Sequence, residues 1–343
     1  MSRFPLRFPV AVALLVLGFL VLGAQSVGLV VGAEPQANAE ALQRVMAVQH
    51  KHNPQVLTLK GVIGTATGLN AQGQWAVKVY AKQAGVAGIP QTMDGVPVDV
   101  EVTGEFLAMK PPASTKIDPT SYFSRPVPIG VSTGNAQECA AGTIGCRVKD
   151  LQNNVYALSN NHVYARENGG DLGDTVVQPG LYDTRCLYDT KYNLGTLSRF
   201  AAISFDGSPN TIDAAIALCP PGTLGKATPS NGYGTPKSII GSAYVGQAVQ
   251  KYGRTTSLTK GTVNGINATL NVGYTAGTAK FVSQIVVTSR KAFIRSGDSG
   301  SLLVANDNTP VGLLFAGNSS GTYAVANDIH LVLTGLGVVI DGE

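Results

Sequence analysis

With 343 residues, 44% of them hydrophobic and only 13% charged, the chain can bury one large core or two of ordinary size. It lacks the charge-rich composition of a disordered protein. Twenty-five Lys and Arg against 21 Asp and Glu give a formal charge of +4, too little to imply nucleic acid or an anionic membrane surface as a partner. With 41 glycines among so many apolar residues, a compact, β-rich protein is the natural expectation.

Taken from the N-terminus, Arg3 and Arg7 precede an apolar run from Val10 to Leu22 and small residues at Gly23 and Ala24, the order of an export signal. Cleavage after Ala24 or after Ala33, in Val31-Gly32-Ala33, satisfies the same small-residue requirement. The uncharged stretch from Phe8 to Ala33 is 26 residues, enough to cross a bilayer if left uncleaved, although Gln25, Ser26 and several glycines weaken that reading. Residues 1–33 therefore read as a signal peptide or membrane anchor, and the chain as secreted or held in the cell envelope. Their removal leaves 23 basic against 21 acidic residues, a charge of +2.

Asn38 can cap a short helix carrying Leu42, Val45 and Met46 on one face, with Pro54 as its end. Val62–Thr67, Trp75–Ala81 and Val96–Val102 follow as strands, with Asp94-Gly95 as a turn, so residues 34–109 read as a small α+β domain. Pro111, Pro112, Pro119, Pro126 and Pro128 mark 110–128 as an extended linker. From 129 to 343 the pattern is short strands between turns: Gly142–Val148, Val155–Asn161, Leu194–Ile203, Asp213–Cys219, Ala248–Tyr252, Gly261–Val272, Phe281–Ser289, Ser301–Ala305 and Val311–Ala316. That spacing predicts an all-β sandwich or barrels, closed by a terminal helix over Ile329–Leu336.

Cys139, Cys146, Cys186 and Cys219 all lie in this second part, and export would expose them to a compartment where disulfides persist. Four cysteines allow three pairings. Cys139–Cys146 closes a short loop and Cys186–Cys219 ties the loop after a histidine segment to a later strand, and this pairing is favoured here. No Cys-x-x-Cys spacing occurs and no histidine adjoins a cysteine pair, so no metal is expected, nor any cofactor.

The sharpest local feature is Ser296-Gly297-Asp298-Ser299-Gly300-Ser301 before the apolar Leu302–Val304. Flanking glycines let the backbone turn tightly, expose the Ser299 hydroxyl and free amide N–H groups for a developing oxyanion. Such a serine needs a base, and the base needs a group that fixes its tautomer. Of the four histidines, His50 and His52 flank Lys51 at a helix end and His330 opens the terminal helix. His162, in Ser159-Asn160-Asn161-His162, stands where a strand gives way to small polar residues, and is the base by elimination. Asp213 heads an apolar strand, where an unpartnered carboxylate would be costly; taken alone it reads as a strand-edge or turn-capping residue.

The segments Asn160-Asn161-His162, Asp213-Ala214-Ala215-Ile216-Ala217 and Gly297-Asp298-Ser299-Gly300 resemble, in order and spacing, the triad blocks of chymotrypsin-fold serine peptidases. Gly253-Arg254-Thr255-Thr256 and Gly261-Thr262-Val263 resemble a second-barrel segment of the alpha-lytic protease and streptogrisin group. The blocks at Ser159, Gln178, Gly253 and Gly297 are similar to those of the plant narrow-leaf trypsin-like family and its bacterial relatives, a likeness covering about residues 126–340. The resemblance implies two six-stranded antiparallel β-barrels with the site between them, a triad of His162, Asp213 and Ser299, and an oxyanion hole from the amides of Gly297 and Ser299. It also implies an ion pair of Arg254 with Asp298. Phe293 stands where a peptidase specific for basic residues would have an acid, and Ser301 replaces a glycine that commonly follows the nucleophile. A pocket bordered by Phe293, Leu314, Phe315, Ala316 and Gly317 would then take a small or apolar side chain.

Two classes of function fit. One is hydrolysis of peptide or protein substrates through an acyl-enzyme, with ester hydrolysis as a variant of the same chemistry; the other is a protease-fold binding or scaffolding module. Membrane contact is implied only through an uncleaved N-terminal segment, and nothing in the sequence sets the oligomeric state.

Overall fold

A computed structural model describes residues 33–108 and 119–343 of the chain. Residues 1–32 of the expected export signal, residue 109 and residues 110–118 of the expected linker lie outside the described residues. Among the described residues no helix is long and apolar enough to cross a membrane.

Helix α1 (Ala33–Val56) is longer at both ends than the sequence suggests. Asn38 does not cap it: its side chain accepts a hydrogen bond from the Trp75 indole N–H. Pro54 does not stop it, because proline forfeits a single backbone donor and burial of Val56 draws the last turn onto the sheet. The apolar face, with Val45, Val48 and Val56, packs on β1 (Val62–Leu69), β2 (Trp75–Ala81) and β3 (Val96–Val102). A further strand, β4 (Phe106–Ala108), ends this unit.

The first β-body runs through β5 (Ser132–Asn135), β6 (Gly142–Thr143), β7 (Cys146–Lys149), β8 (Val155–Ser159), β9 (Thr175–Val177), β10 (Asn193–Phe200) and β11 (Ala215–Leu218). It is antiparallel throughout, in the order β7-β8-β11-β10-β9-β5-β6. The one-turn helix α2 (Asn161–Tyr164) follows β8 directly. Far from linking loosely, residues 119–128 lie on this body: Val127 is buried and donates to Thr223, and the Gln178 side chain bonds Phe123 N–H and Ser121 C=O.

The second body comprises β12 (Ala248–Gly253), β13 (Ser257–Gly273), β14 (Thr278–Thr288), β15 (Leu302–Ala305), β16 (Pro310–Gly317) and β17 (Tyr323–Asp328). Pairings β12–β13, β13–β14, β14–β17, β17–β16, β16–β15 and β15–β12 close these six strands into an antiparallel barrel. Helix α3 (Ile329–Leu336) packs Ile329, Val332 and Leu336 into the core of the first body, which also receives Leu302, Val304 and Leu313. The protein is thus an all-β pair of antiparallel β-bodies preceded by a small α+β unit.

That unit is not freestanding. β1 pairs antiparallel with β13, so its sheet continues the second barrel. β4 lies between two barrel strands, parallel to β13 at Val272 and Gly273 and antiparallel to β16, with Ala108 opposite Ala316 and Leu107 opposite Gly317.

The disulfide departs from the favoured pairing: Cys139 joins Cys186, and Cys146 and Cys219 are free and buried. Cys146 stands on β7 with its side chain in the apolar core, as does Cys219 just past β11, whereas 139 and 186 meet on loops. Short loop closure was the wrong criterion, because strand direction decides which sulfurs can meet. Burial raises both free thiols, Cys219 to about 12, so neither supplies a thiolate near neutral pH. A colorimetric thiol reagent should find no reactive group in the folded protein, two after unfolding, and four after unfolding with reduction.

Candidate active site

His162 is presented by α2, three residues past the end of β8, and Asp213 lies two residues before β11 begins. Because β8 and β11 are paired, with Ser159 opposite Ala215, the ends of these strands bring the two side chains together. His162 Nδ1 lies 2.6 Å from Asp213 Oδ2, and the His162 backbone N–H donates to Oδ1 at 3.2 Å. A carboxylate only accepts, so Nδ1 carries the proton and Nε2 has a free lone pair. That Nε2 has no hydrogen-bond partner among the described residues.

Asp213 is fully buried, and its backbone is fixed from two sides. Asn160 Nδ2 donates to its carbonyl at 2.7 Å, while Asn327, on β17, accepts from its N–H at 3.0 Å and donates to its carbonyl at 3.1 Å. Tyr274, just beyond β13, donates its hydroxyl to Oδ2 at 2.8 Å. Neither Asn327 nor Tyr274 is visible as a site residue in the sequence, because each is contributed by the opposite body.

Ser299 sits between β14 and β15 on a turn held against the first body. Thr143 N–H, on β6, donates to the Ser299 carbonyl at 2.8 Å, and Thr143 Oγ1 donates to the Gly297 carbonyl at 2.7 Å. Close approach explains the small residues here. A side chain at Gly142 would meet Val163 at 2.5 Å and the Ser299 carbonyl at 3.1 Å, so this glycine lies between the histidine and serine segments. Gly300, at φ +93°, leaves no room for a side chain beside Ser159 and the Thr143 carbonyl. Ser299 Oγ contacts the Phe315 carbonyl at 3.3 Å. The N–H groups of Gly297 and Ser299 donate to nothing else among the described residues.

Asp298 next to the serine is fully buried, and its carboxylate is held by three backbone amides. Oδ1 accepts from Thr255 and Thr256 N–H at 2.9 and 3.1 Å, and Oδ2 accepts from Arg295 N–H at 2.8 Å and Thr256 Oγ1 at 2.7 Å. A Cβ on Gly253 would stand 2.5 Å from Oδ1, which is why the carboxylate needs glycine there. The cation beside it is Lys251, whose Nζ lies 3.3 Å from Oδ2 in full burial. Burial lowers the Lys251 pKa, and the Asp298 charge opposes that shift without overcoming it.

The expected Arg254–Asp298 pair is therefore absent. Arg254 reaches Asp183 instead, with Nε 3.0 Å from Oδ2 and Nη2 bonded to Oδ1, and its guanidinium lies over the Tyr182 ring. Strand alternation gives the reason: Lys251 and Gly253 face Asp298, and the residue after Gly253 turns toward the other body. Asp183 has no signal in the sequence, whereas Lys251, a cation inside an apolar strand, could have been noticed.

Of the expected pocket residues, Phe293 and Leu314 pack in the barrel core, and Phe315 and Ala316 in a second cluster where the Phe315 and Phe281 rings meet at a tilt, centroids 4.8 Å apart. What β16 offers near Ser299 is its backbone, and at Ala316 and Gly317 that edge is taken by β4. No group of three or more metal-ligating side chains occurs among the described residues.

Residues 235–320 match the model of peptidase family S64. Serine protease 2 of Streptomyces fradiae is 42% identical over 80 residues, which is 23% of this chain and 42% of that protein. Streptogrisin-A of Streptomyces griseus is 40% identical over 83 residues, 24% of this chain and 26% of that one. The chain thus spans less than half the length of these curated relatives. Among solved structures, a glutamic-acid-specific serine protease gives a TM-score of 0.45 at 21% identity, covering 62% of this chain and 100% of that one. Cellulomonas bogoriensis chymotrypsin gives 0.43 at 22% identity, covering 63% and 99%. The segment that matches the family S64 model includes Ser299, Asp298 and Gly253.

The Arg254–Asp183 pair is nearly inaccessible, and removing one partner of a buried pair strands the other. Asp183→Ala should cost about 3 kcal/mol in urea denaturation. Arg254→Met in the same background should recover part of that loss.

Proposed function

We propose that this protein is an exported serine endopeptidase with Ser299 as nucleophile, His162 as general base and Asp213 as orienting carboxylate. The observation that carries the reading is the buried Asp213 carboxylate holding Nδ1–H at 2.6 Å, which leaves Nε2 of His162 as an unengaged base. In this reading Ser299 Oγ turns from the Phe315 carbonyl and attacks the scissile carbonyl while Nε2 takes its proton. Asp213 keeps the imidazole in the working tautomer and stabilises its cation. The unengaged amides of Gly297 and Ser299 receive the oxyanion, and Asp298, anchored by three amides and Lys251, keeps that turn in shape. The proton then passes to the leaving amine, and water repeats the cycle on the acyl-enzyme. The Cys139–Cys186 disulfide supports export, as does the N-terminal segment. The four blocks that resemble those of the narrow-leaf trypsin-like family support the same assignment of His162 and Ser299.

Ser299→Ala should abolish labelling by a fluorophosphonate probe. Asp213→Asn should slow it by on the order of 10⁴-fold, through loss of the tautomer, with the fold retained by circular dichroism. A folded wild-type protein that never labels would favour the binding-module reading instead.

We further propose that residues 34–109 act as an inhibitory pro-region. β4 lies on the backbone edge of β16 next to Phe315, the residue Ser299 contacts, so an extended substrate would have to displace it. A site-specific protease sequence placed within 109–118 would let the link be cut in the assembled protein. Labelling should accelerate at least about tenfold after the cut, since the strand can then dissociate. An unchanged rate with β4 released would reject the inhibitory role.

A further inference from the structure

Tyr274 has no place in the sequence motifs, yet its hydroxyl ends on the same Asp213 oxygen that holds His162. The residue opens the turn between β13 and β14, and its partly buried ring packs edge-on against Phe205 and His162 and tilted over Phe281, with centroids 5.7, 5.9 and 6.1 Å away. The turn is itself tied down: the Glu167 carboxylate, in the loop after α2, accepts the N–H groups of Thr275 and Ala276 at 3.2 and 2.8 Å. Packing alone would be served by phenylalanine, the residue already present at 205 and 281. The hydroxyl adds one thing, a hydrogen bond of 2.8 Å to Asp213 Oδ2.

We infer that Tyr274 is a positioning residue of the His162–Asp213 pair, supplied by the second barrel. This rests on the hydrolase reading above. Its hydroxyl holds the carboxylate rotamer that faces Nδ1 and withdraws part of the charge from the oxygen bonded to it. Enclosure of the phenol and then the Asp213 charge raise the Tyr274 pKa well above its ordinary value, so the group stays a donor wherever the imidazole titrates. The ionisable groups bearing on the contact are His162, Asp213 and Glu167.

The sign of the effect follows. Replacing the hydroxyl with hydrogen returns charge to Oδ2 and stabilises the imidazolium, so Tyr274→Phe should raise the His162 pKa. The test is NMR titration of the histidine ring signals in the full chain, with His162 assigned by its absence in His162→Gln. Alongside it runs the second-order rate of fluorophosphonate labelling against pH. Tyr274→Phe should show the raised His162 titration, an acid limb displaced the same way, and a plateau rate at least about tenfold lower. Phe205→Leu, which loosens the ring packing but keeps the hydroxyl, should lower the melting temperature and leave the His162 titration in place. An unshifted His162 titration in Tyr274→Phe, or an equal shift in Phe205→Leu, overturns the inference. A shifted titration in a protein whose wild type never labels keeps the contact and sinks the hydrolase reading alone.

Discussion

The burial of Asp213 is the constraint around which the two β-bodies are arranged. A carboxylate removed from water must find donors, and this one finds three, from His162 N–H, His162 Nδ1–H and Tyr274 O–H. Two of these come from the turn after β8 and one from beyond β13, while Asn327 of β17 holds the Asp213 backbone. Neither body could satisfy the group alone. The same contacts that solvate the charge therefore dock one body on the other and orient the imidazole.

A second buried carboxylate repeats the pattern on the serine side. Asp298 shapes the turn before Ser299, and backbone amides do most of the work of solvating it. Oriented N–H groups stabilise an anion without burying another long side chain, and a glycine at 253 is the condition for their approach. Lys251 supplies the nearby cation from within the same strand. Arg254 is thereby left for Asp183, near the Cys139–Cys186 loop, and its pair with Asp183 ties β12 to the first body. The two buried carboxylates, beside His162 and beside Ser299, are thus held by different elements.

The N-terminal unit extends the second barrel through β1 and β13, and its last strand enters between β13 and β16. β4 thereby touches Gly273, the neighbour of Tyr274, and Gly317, two residues beyond Phe315. One short strand lies beside both the residue that braces Asp213 and the residue that Ser299 contacts. The ion cluster of Lys78 with Asp99 and Glu101, the latter also bonded by Tyr323 of β17, secures the unit on this side of the barrel. Buried pairs of this kind set orientation more than they add stability.

Much of this was legible in the sequence. Short apolar segments spaced by turn residues specified an all-β protein, because strand length and turn chemistry are local properties of the chain. The Ser299 turn and the step from apolar strand to Asn160-Asn161-His162 marked two site residues by local chemistry. What only the tertiary structure decided is which groups meet across strands and between bodies: Cys139 with Cys186, Arg254 with Asp183, Lys251 with Asp298, Tyr274 and Asn327 with Asp213. These pairs are set by barrel closure and strand direction, quantities that no local spacing encodes. Core placement of Phe293, Leu314 and Phe315, and the continuity of β1 with β13, belong with them. Local conformation and residue chemistry are short-range properties written along the chain, whereas the partners of buried charges are fixed by packing that the whole chain makes together.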